Sequence, residues 1–517
     1  MKKSLLLITL ILNILQLSAQ KTIEWNKIDD EKNQYDFKYF IKYSVDAYKA
    51  VFAIPEVKPF QSLKNQVFIR TYNTDFSKYT QVGIPSESPL LLSVKSFRNY
   101  NVIYGSTDAG NNYRKPNKLV ITDDQSNVLV NILFPLHGNL SFFKGAPSDM
   151  VSYFGSPTIY HSYDSSHLII LNTEAISPGK ASLDFTETQF INVYDKDLNL
   201  VWKDSVNLST MYEKGTAVNG IKIDYINNKL YIFATNCASS FQKVENTIRV
   251  FEFDKPQSYK TIVKEAFPNP VISFNYMVTK EKNIIISGVN HISTDIANGS
   301  DKNELFFINV DLSAMNITPK VKRYKLNKDF CAKYPEYNSL LRDNLTSPLA
   351  MFEMSDGLIY CSENSYSVGY SSAGSSTINN FNSITLIKFD LSGNIKWLKM
   401  INKDPGCKGS EFSGFCCRAF LIKGEVVIFY YDLEDKIYKE TFKKSNAIEP
   451  ITKFCLASAT VDGEGNINKS LVYKVAESQI WIDLTGMTQI SDTHFFIPGK
   501  GLGMAKKGEY TAFYDYE

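Results

Sequence analysis

The chain has 517 residues, of which 56 are basic and 54 acidic, so its formal net charge is only +2. No block of like charge stands out, which argues against a nucleic-acid partner and against attraction to an anionic membrane surface. The 34 Phe and 31 Tyr stand among short aliphatic runs, a composition that favours strands and turns over helices. We expect an all-β protein whose length far exceeds what one small core requires.

The first 19 residues have the form of a secretory signal peptide. Lys2 and Lys3 precede a short apolar stretch, and the small residue Ala19 follows it. The stretch is shorter than the roughly 20 residues that a membrane-spanning helix needs, so an uncleaved anchor is the weaker alternative. We expect cleavage after Ala19, a mature domain over residues 20–517 without membrane insertion, and export to the periplasm, cell surface or exterior.

A short motif recurs along the chain: an aspartate, an asparagine four residues later, and then an aliphatic residue. The copies are Asp123…Asn127-Val128, Asp195…Asn199-Leu200, Asp390…Asn394-Ile395 and Asp462…Asn466-Ile467. In two of them a tryptophan, Trp202 or Trp397, follows seven residues after the aspartate. Each copy lies between an alternating apolar run and a second short strand. The motif therefore predicts a recurring β-hairpin, which is typical of a repeat architecture.

A further strand precedes most of these hairpins, and the turn residues recur from Asp123 to Asp462 at intervals of about 68 residues. That spacing exceeds the roughly 40 to 50 residues of common propeller blades, so loops must carry the excess. A weaker unit at 67–76 makes seven units. An eighth would arise if 21–25 completed the sheet of the C-terminal strands, with Trp25 in the position of Trp202 and Trp397.

We therefore predict a single β-propeller of eight blades, with seven as the alternative. The N-terminal strand would complete the last C-terminal blade and close the ring, which would cover edge strands that otherwise invite aggregation. Two tandem β-sandwiches are a rival architecture. They would not explain one hairpin motif at nearly regular spacing along the whole chain.

The segments from Asp195 to Trp202 and from Asp390 to Trp397 resemble blades of secreted bacterial propellers of the PQQ-like and WD40-like kind. The resemblance covers most of the mature chain and implies a disc with a central channel and loops on two faces. It implies no reaction, because propellers host many unrelated functions. The tryptophans look like packing between blades rather than a PQQ platform, so no cofactor is predicted.

One turn has oxygen-bearing side chains at alternate positions, Asp195, Asp197 and Asn199, which could begin a calcium loop. The bidentate glutamate of an EF-hand does not follow. Asp and Asn also form ordinary turns through side-chain-to-backbone hydrogen bonds. We favour the turn interpretation, keep calcium as the alternative, and predict no other metal.

No catalytic residue is assigned. The five histidines are scattered, and neither a G-x-S-x-G elbow nor a supported Cys/His arrangement is present. Among the seven cysteines, Cys407 and Cys416 could close a small loop by a disulfide in an oxidising compartment, and free thiols are the alternative.

Two long insertions, 137–161 and 362–382, are predicted as loops. The second contains Tyr366, Tyr370 and Phe381 among Ser, Gly and Asn, a mixture typical of binding loops, and we expect ligand contacts there. A loop without function is the alternative.

These features predict an exported, non-catalytic scaffold, a monomer, that recognises a protein or glycan through loops on a propeller face. One alternative is a polysaccharide-active hydrolase or lyase with acids at the channel mouth. Another is a subunit of a cell-envelope assembly.

Overall fold

The structure is a computed structural model that describes twenty segments of the chain. They are 26–27, 36–44, 47–53, 67–73, 79–83, 93–106, 117–134, 151–154, 158–177, 186–212, 216–238, 245–290, 304–314, 317–335, 345–370, 376–403, 406–408, 417–439, 450–502 and 509–516. The chain divides into two compact units. The N-terminal unit comprises 32–333 with 391–394, and the C-terminal unit comprises 1–31, 334–390 and 395–517.

Strand β1 (Asn26–Lys27) belongs to the last sheet, and the N-terminal unit contains five antiparallel sheets. The first has strands β2 (Asp36–Ser44), β3 (Ala47–Ala53), β4 (Val67–Asn73) and β5 (Tyr79–Gly83). The second has β6 (Ser93–Phe97), β7 (Tyr100–Ser106), β8 (Asn117–Thr122) and β9 (Val128–Leu133). The third has β10 (Val151–Phe154), β11 (Thr158–His161), β12 (Leu168–Ser177), β13 (Thr186–Tyr194) and β14 (Leu200–Asn207).

The fourth sheet has β15 (Thr216–Ile226), β16 (Lys229–Ala238), β17 (Asn246–Lys255) and β18 (Ser258–Phe267). The fifth has β19 (Val271–Val278), β20 (Asn283–Asn290), β21 (Glu304–Asp311) and β22 (Lys320–Lys325), and helix α1 (Lys328–Lys333) follows it.

The C-terminal unit contains three sheets. The sixth has β23 (Leu345–Met354), β24 (Gly357–Tyr370), β25 (Ser376–Phe389), β26 (Ile395–Asn402) and β27 (Gly406–Lys408). The seventh has β28 (Arg418–Ile422), β29 (Glu425–Leu433), β30 (Phe454–Val461) and β31 (Ile467–Lys474), followed by helix α2 (Val475–Ser478). The eighth joins β1 to β32 (Ile480–Ile482), β33 (Thr488–Gln489), β34 (His494–Gly501) and β35 (Glu509–Asp515). None of the described helices is long and apolar enough to cross a membrane.

The prediction of an all-β protein with propeller blades is confirmed, but the number of blades is corrected. The structure has seven blades, the number predicted as the alternative. In each of these seven sheets, successive strands from one stretch of chain pair in order. The eighth sheet is built differently. Its leading strand is broken into β32 and β33, of three and two residues, and its outer strand beside β35 is the distant β1.

The closure of a ring by the N-terminus stays a prediction. In the C-terminal unit, Asn26 and Lys27 pair with Thr511 and Tyr510, so a two-residue strand lies beside β35. Trp25, which was expected to carry this closure, lies outside the described residues.

Burial explains the order of strands within each blade. The second and third strands are apolar on both faces and buried almost throughout, as in β20 and β21. The fourth strand alternates, as in β14, where Trp202, Asp204 and Val206 are buried and their neighbours are exposed. A continuous apolar run suits a strand that is covered on both faces, whereas alternation suits a strand at a margin.

The recurring motif forms the turn between the third and fourth strands of a blade. In the Asp195 turn, one carboxylate oxygen accepts the backbone N–H groups of Asp197 and Asn199, both at 2.9 Å, and the other accepts Nδ2 of Asn199 at 3.0 Å. The Asp123 and Asp462 turns repeat all three bonds at 2.8–2.9 Å. The fourth residue of the turn is left-handed, with φ +62° at Leu198 and +83° at Gly465. The aspartate side chain thus accepts the backbone N–H groups of the turn, which lie beyond the hydrogen bonds between the two strands, and the asparagine side chain holds the aspartate in place.

The tryptophans pack between sheets, as expected. Trp202 is buried in a core cluster that joins the third and fourth sheets, and its ring meets Tyr225 edge-on at 6.2 Å. Trp397 donates from Nε1 to the carbonyl of Gly463 at 3.0 Å. A Cβ at Gly465 would approach the Trp397 ring to 2.9 Å, so the turn of the next blade has glycine where the ring passes.

One predicted loop is wrong. Residues 362–382 are not a free insertion, because β24 and β25 run for 14 residues each and pair from Leu358 with Phe389 to Tyr370 with Ser376. A polar, Tyr-rich sequence of this kind is compatible with a strand and with a loop, so its composition did not distinguish the two. The other insertion, 137–161, contains β10 and β11.

Candidate functional site

A cleft of about 630 Å³ opens in the N-terminal unit at the outer strands of the second and third sheets. Its walls come from β9, from β13 and β14, and from the turn between β17 and β18. Ligand sites in proteins usually have about 300 to 1,000 Å³ and combine apolar walls with a few polar groups. The cleft has this size and this mixture.

Strand register places one wall. Phe190 pairs with Ser205, Asn192 with Lys203, and Tyr194 with Leu200 across β13 and β14. Because side chains alternate along a strand, these three pairs share one face of the third sheet. The same face is apolar at its inner side, where Tyr194 joins a core cluster with residues of β7, β8 and β12.

The opposite wall is β9, which contributes Asn131, Ile132 and Leu133. Leu133 is 59% exposed although it is aliphatic. Both β9 and β14 end their sheets, so each pairs with one neighbour only among the described strands. The cleft therefore lies between two strands that each end a sheet in the described part of the chain.

Exposed aliphatic side chains are concentrated on β9 and β14, and two of them, Leu133 and Leu200, line the cleft. Ten large hydrophobic side chains are exposed in the described part of the chain, and half of them belong to β9 and β14: Val128, Leu129, Leu133, Leu200 and Val201. Single exposed apolar residues are normal on protein surfaces, whereas a group of them on neighbouring elements marks an interaction site.

The cleft lining contains one carboxylate, that of Asp204, and one lysine, Lys203. Asp204 is 7% exposed; its oxygens accept the backbone N–H of Ser205 at 2.8 Å and of Gln257 at 2.9 Å. Through these hydrogen bonds the Asp204 carboxylate links the β17–β18 turn to β14. Lys203 is exposed and forms no ion pair within the described segments, so its ammonium is accessible to a bound molecule.

A second polar region lies on the first strands of four successive sheets, β6, β11, β15 and β19, which we name the first-strand wall. Tyrosine hydroxyls from the strands on both sides donate to backbone carbonyls of β15: Tyr160 of β11 donates to Ile221 at 3.3 Å, and Tyr276 of β19 donates to Ile223 at 3.1 Å. Lys222 donates to Oδ1 of Asn275 at 3.0 Å, and burial lowers the pKa of Lys222 to about 8.

Asp224, on β15, is fully buried. Its Oδ1 accepts the backbone N–H groups of Tyr163 and Tyr225, at 3.1 and 2.7 Å, and the Tyr276 hydroxyl also lies close enough to favour the carboxylate. Burial raises the pKa of Asp224 to about 7, against the opposing effect of these hydrogen bonds. A carboxyl without solvent contact cannot meet a substrate, so we assign it a structural place.

The turn at 162–167 brings serine, aspartate and histidine together, but in an order that does not suit nucleophilic catalysis. The hydroxyls of Ser162 and Ser166 both donate to Oδ1 of Asp164 at 2.7 Å, and Oγ of Ser166 lies 2.6 Å from Nδ1 of His167. In a catalytic triad the histidine stands between the acid and the serine. Here the serine stands between them, and its proton is directed at the carboxylate.

The predicted ligand-binding residues lie in the C-terminal unit. Tyr366 and Tyr370 are in β24, opposite Asn380 and Ser376, and Phe381 is in β25, opposite Ser365. Their role in binding stays a prediction.

In the calcium alternative, all the carboxylate bonds of Asp195 that the structure gives come from N–H donors of its own turn. A metal ligand would have to give these bonds up, so the geometry favours the turn. For the proposed disulfide, the backbone of Cys407 lies in β27 and Cys416 lies outside the described residues. Four other cysteines, Cys331, Cys361, Cys417 and Cys455, are buried free thiols.

Sequence reasoning missed the cleft, although it left a signal. A fourth strand should alternate, yet β9 reads Val-Leu-Val-Asn-Ile-Leu and β14 begins Leu-Val, with adjacent aliphatics that cannot all face one core. Two neighbouring blades with this excess predict an apolar outer surface.

No family model matches the chain, and no curated protein matches it. Among solved structures, the WD40 domain of SCAP from fission yeast is 8% identical, with 96% of this chain and 98% of that chain covered at a TM-score of 0.38. The β-propeller domain of the Trilobed protease from Pyrococcus furiosus is 9% identical, with 86% and 97% covered at a TM-score of 0.35.

An acylaminoacyl peptidase of Pyrococcus horikoshii is 8% identical, with 80% of this chain and 59% of that chain covered at a TM-score of 0.30. These structures include propeller and WD40 domains, in keeping with the sheet topology of this chain. Scores this low support no inference about activity or partners. A secreted bacterial origin and a PQQ-like relationship stay predictions.

Proposed function

We propose that this protein is a non-catalytic binding scaffold that recognises a partner protein by holding an extended segment of it in the cleft. The observation that carries the proposal is the cleft itself, where exposed Leu133 and Leu200 lie on two strands that each end a sheet of the described part of the chain. Export, inferred from the N-terminal sequence, would place this scaffold in the envelope or outside the cell.

The chemistry of the walls favours a polypeptide over a glycan. Leu133 is 59% and Leu200 49% exposed, and aliphatic groups of this kind are best covered by apolar side chains. The outer edges of β9 and β14 offer backbone groups that an added strand can pair with. Lys203 suits an acidic residue in the bound segment. We therefore expect a segment with alternating aliphatic residues and one carboxylate.

The enzymatic alternative requires two carboxyl groups facing one cleft. The described lining contains one, Asp204, whose oxygens are already bonded to backbone N–H groups. A subunit of an envelope assembly is compatible with the scaffold, and co-elution of the native protein with other components would support it.

Selection of a random peptide library against the immobilised full chain tests the proposal. We expect enriched peptides that carry aliphatic residues and an acid, and whose affinity falls about tenfold or more with Leu133→Asp or Leu200→Asp. Leu421→Asp is the matched control, because Leu421 is also an exposed aliphatic strand residue, at 38%. The affinity of the Leu421→Asp variant for these peptides should equal that of the wild type.

A glycan array run with the same variants decides between the two partner classes. Binding of a glycan that Leu133→Asp abolishes, without any enriched peptide, would replace the polypeptide with a carbohydrate. Peptides that bind all three variants equally would overturn the cleft as the binding surface.

A further inference from the structure

A second site emerges on the first-strand wall, where β6 of the second sheet meets β11 of the third. Lys95 Nζ donates to the Ile159 carbonyl at 3.2 Å across this junction. His161, two residues further along β11, makes a hydrogen bond with the Ser96 backbone and meets the ring of Phe97 edge-on at 5.7 Å. The two side chains thus flank one junction, and both remain exposed to solvent.

The charges at this junction are of one sign. Burial lowers the pKa of His161, and the nearby Lys95 ammonium lowers it further, while the bond with Ser96 opposes them. Two apolar neighbours also pack here: Leu168 pairs with His161 from β12, and Phe97 meets its ring from β6. Within the described segments, no carboxylate forms an ion pair with Lys95. A positive charge that is partly removed from water without a counter-ion is unfavourable and attracts an anion.

We infer that Lys95 and His161 form a binding site for an oxyanion, a carboxylate or sulfate group that is either free or carried by a sugar. Donors are available for it. An ammonium has three N–H groups, of which one is directed at Ile159, and an imidazolium has two, of which one serves Ser96. The bound oxyanion would accept from both side chains and neutralise the junction. This site is separate from the cleft, and its failure would leave the proposed function untouched.

Binding is coupled to a proton. The oxyanion favours the imidazolium form of His161, so binding raises the pKa of His161 and affinity increases as the pH falls. A rise of one pKa unit corresponds to about tenfold tighter binding of the oxyanion by the protonated form.

The test is an NMR titration of the histidine ring signals of the full chain, in sulfate and in chloride at equal ionic strength. His161→Gln assigns the signal among five histidines. We expect sulfate to raise the apparent pKa of His161 by about one unit relative to chloride. Identical titrations in the two salts would overturn the inference, whatever the variants do.

Two lysine variants locate the effect. Lys95→Met should abolish the sulfate response and raise the pKa of His161 in chloride, because the neighbouring positive charge is gone. Lys222→Met is the matched control: it removes another partly buried lysine of the same wall, which has Asn275 rather than a histidine beside it, and should leave the response intact. A response that survives in Lys95→Met contradicts the site.

Further arms of the titration identify the source of the anion. Acetate, glucuronate and neutral glucose are compared at equal concentration. Equal effects of acetate and glucuronate indicate recognition of the free carboxylate, whereas a larger effect of glucuronate indicates an acidic sugar. An effect of glucose as large as that of glucuronate would contradict recognition of the charge.

Discussion

The hairpin turns and the first-strand wall of the N-terminal unit place aspartates in opposite environments. At the turn, both carboxylate oxygens of Asp195 accept N–H groups, and these hydrogen bonds outweigh desolvation and lower its pKa. On the wall, Asp224 is fully buried, and desolvation outweighs its hydrogen bonds and raises its pKa to about 7. The turn is locally complete, whereas the wall depends on neighbouring sheets and retains charges that cost stability. Sites for ligands are expected where such costs persist.

The largest expected effect comes from the packing that joins the hairpins to the next blade. Trp202→Ala should lower the free energy of unfolding by about 3 to 5 kcal/mol, because a large side chain leaves a cavity between two sheets. Chemical denaturation followed by circular dichroism measures it. Trp202→Phe should lose less. A loss below about 1 kcal/mol in the alanine variant would show that the tryptophan is not an interblade contact.

The second effect is a pH-dependent gain in the free energy of unfolding, from a substitution on the first-strand wall. The folded pKa of Asp224 is raised from 3.8 to about 7, so the unfolded chain binds fewer protons in this window and stability falls as the pH rises through it. Asp224→Asn cannot ionise. Its stability relative to the wild type should be near zero at pH 4 and rise to about 1 to 4 kcal/mol at pH 8.

A difference between Asp224→Asn and the wild type that stays constant from pH 4 to pH 8 would contradict the raised pKa.

The third effect concerns the turn itself. Asn199→Ala removes the bond from Nδ2 to Asp195 and should cost about 1 kcal/mol. Because the folded pKa of Asp195 is lowered, the stability that it contributes is present above its unfolded pKa and is lost as the pH falls through the folded value. Acid unfolding should therefore begin at a higher pH in the variant. An unchanged acid midpoint would argue against the turn as a source of acid stability.

The smallest effect is expected in the cleft. Leu200→Asp should change stability by no more than about 0.5 kcal/mol, because the side chain is 49% exposed and its contacts are few. Thermal melting checks this. A large loss of stability would mean that Leu200 supports the fold, and its effect on binding could then not be attributed to a partner contact.

The turns could be predicted from sequence because their bonds are local. Asp195 and Asn199 lie four residues apart, and no other part of the chain is needed to satisfy them. The number of blades could not, because the irregular leading strand of the last sheet depends on α2 and on the short turn at Leu484–Gly486, which break its pattern. The paired parts of β24 and β25 within 362–382 were mistaken for a loop because their composition is compatible with either structure.

The sites were less accessible to sequence reasoning. Lys95 and His161 lie 66 positions apart, and Leu133 and Leu200 are separated by 67 positions that include the four strands β10 to β13. Their proximity is created by the stacking of successive blades, which fixes contacts between residues that share no local pattern. Only the excess of aliphatic residues in β9 and β14 pointed to the cleft beforehand.

The most direct measurement of the central claim is the equilibrium affinity of one selected peptide for the wild type, for Leu200→Asp and for Leu421→Asp. If the outer strands of the second and third sheets hold the partner, the dissociation constant rises about tenfold or more for the first variant and stays unchanged for the second. Equal dissociation constants for the two variants would contradict this assignment.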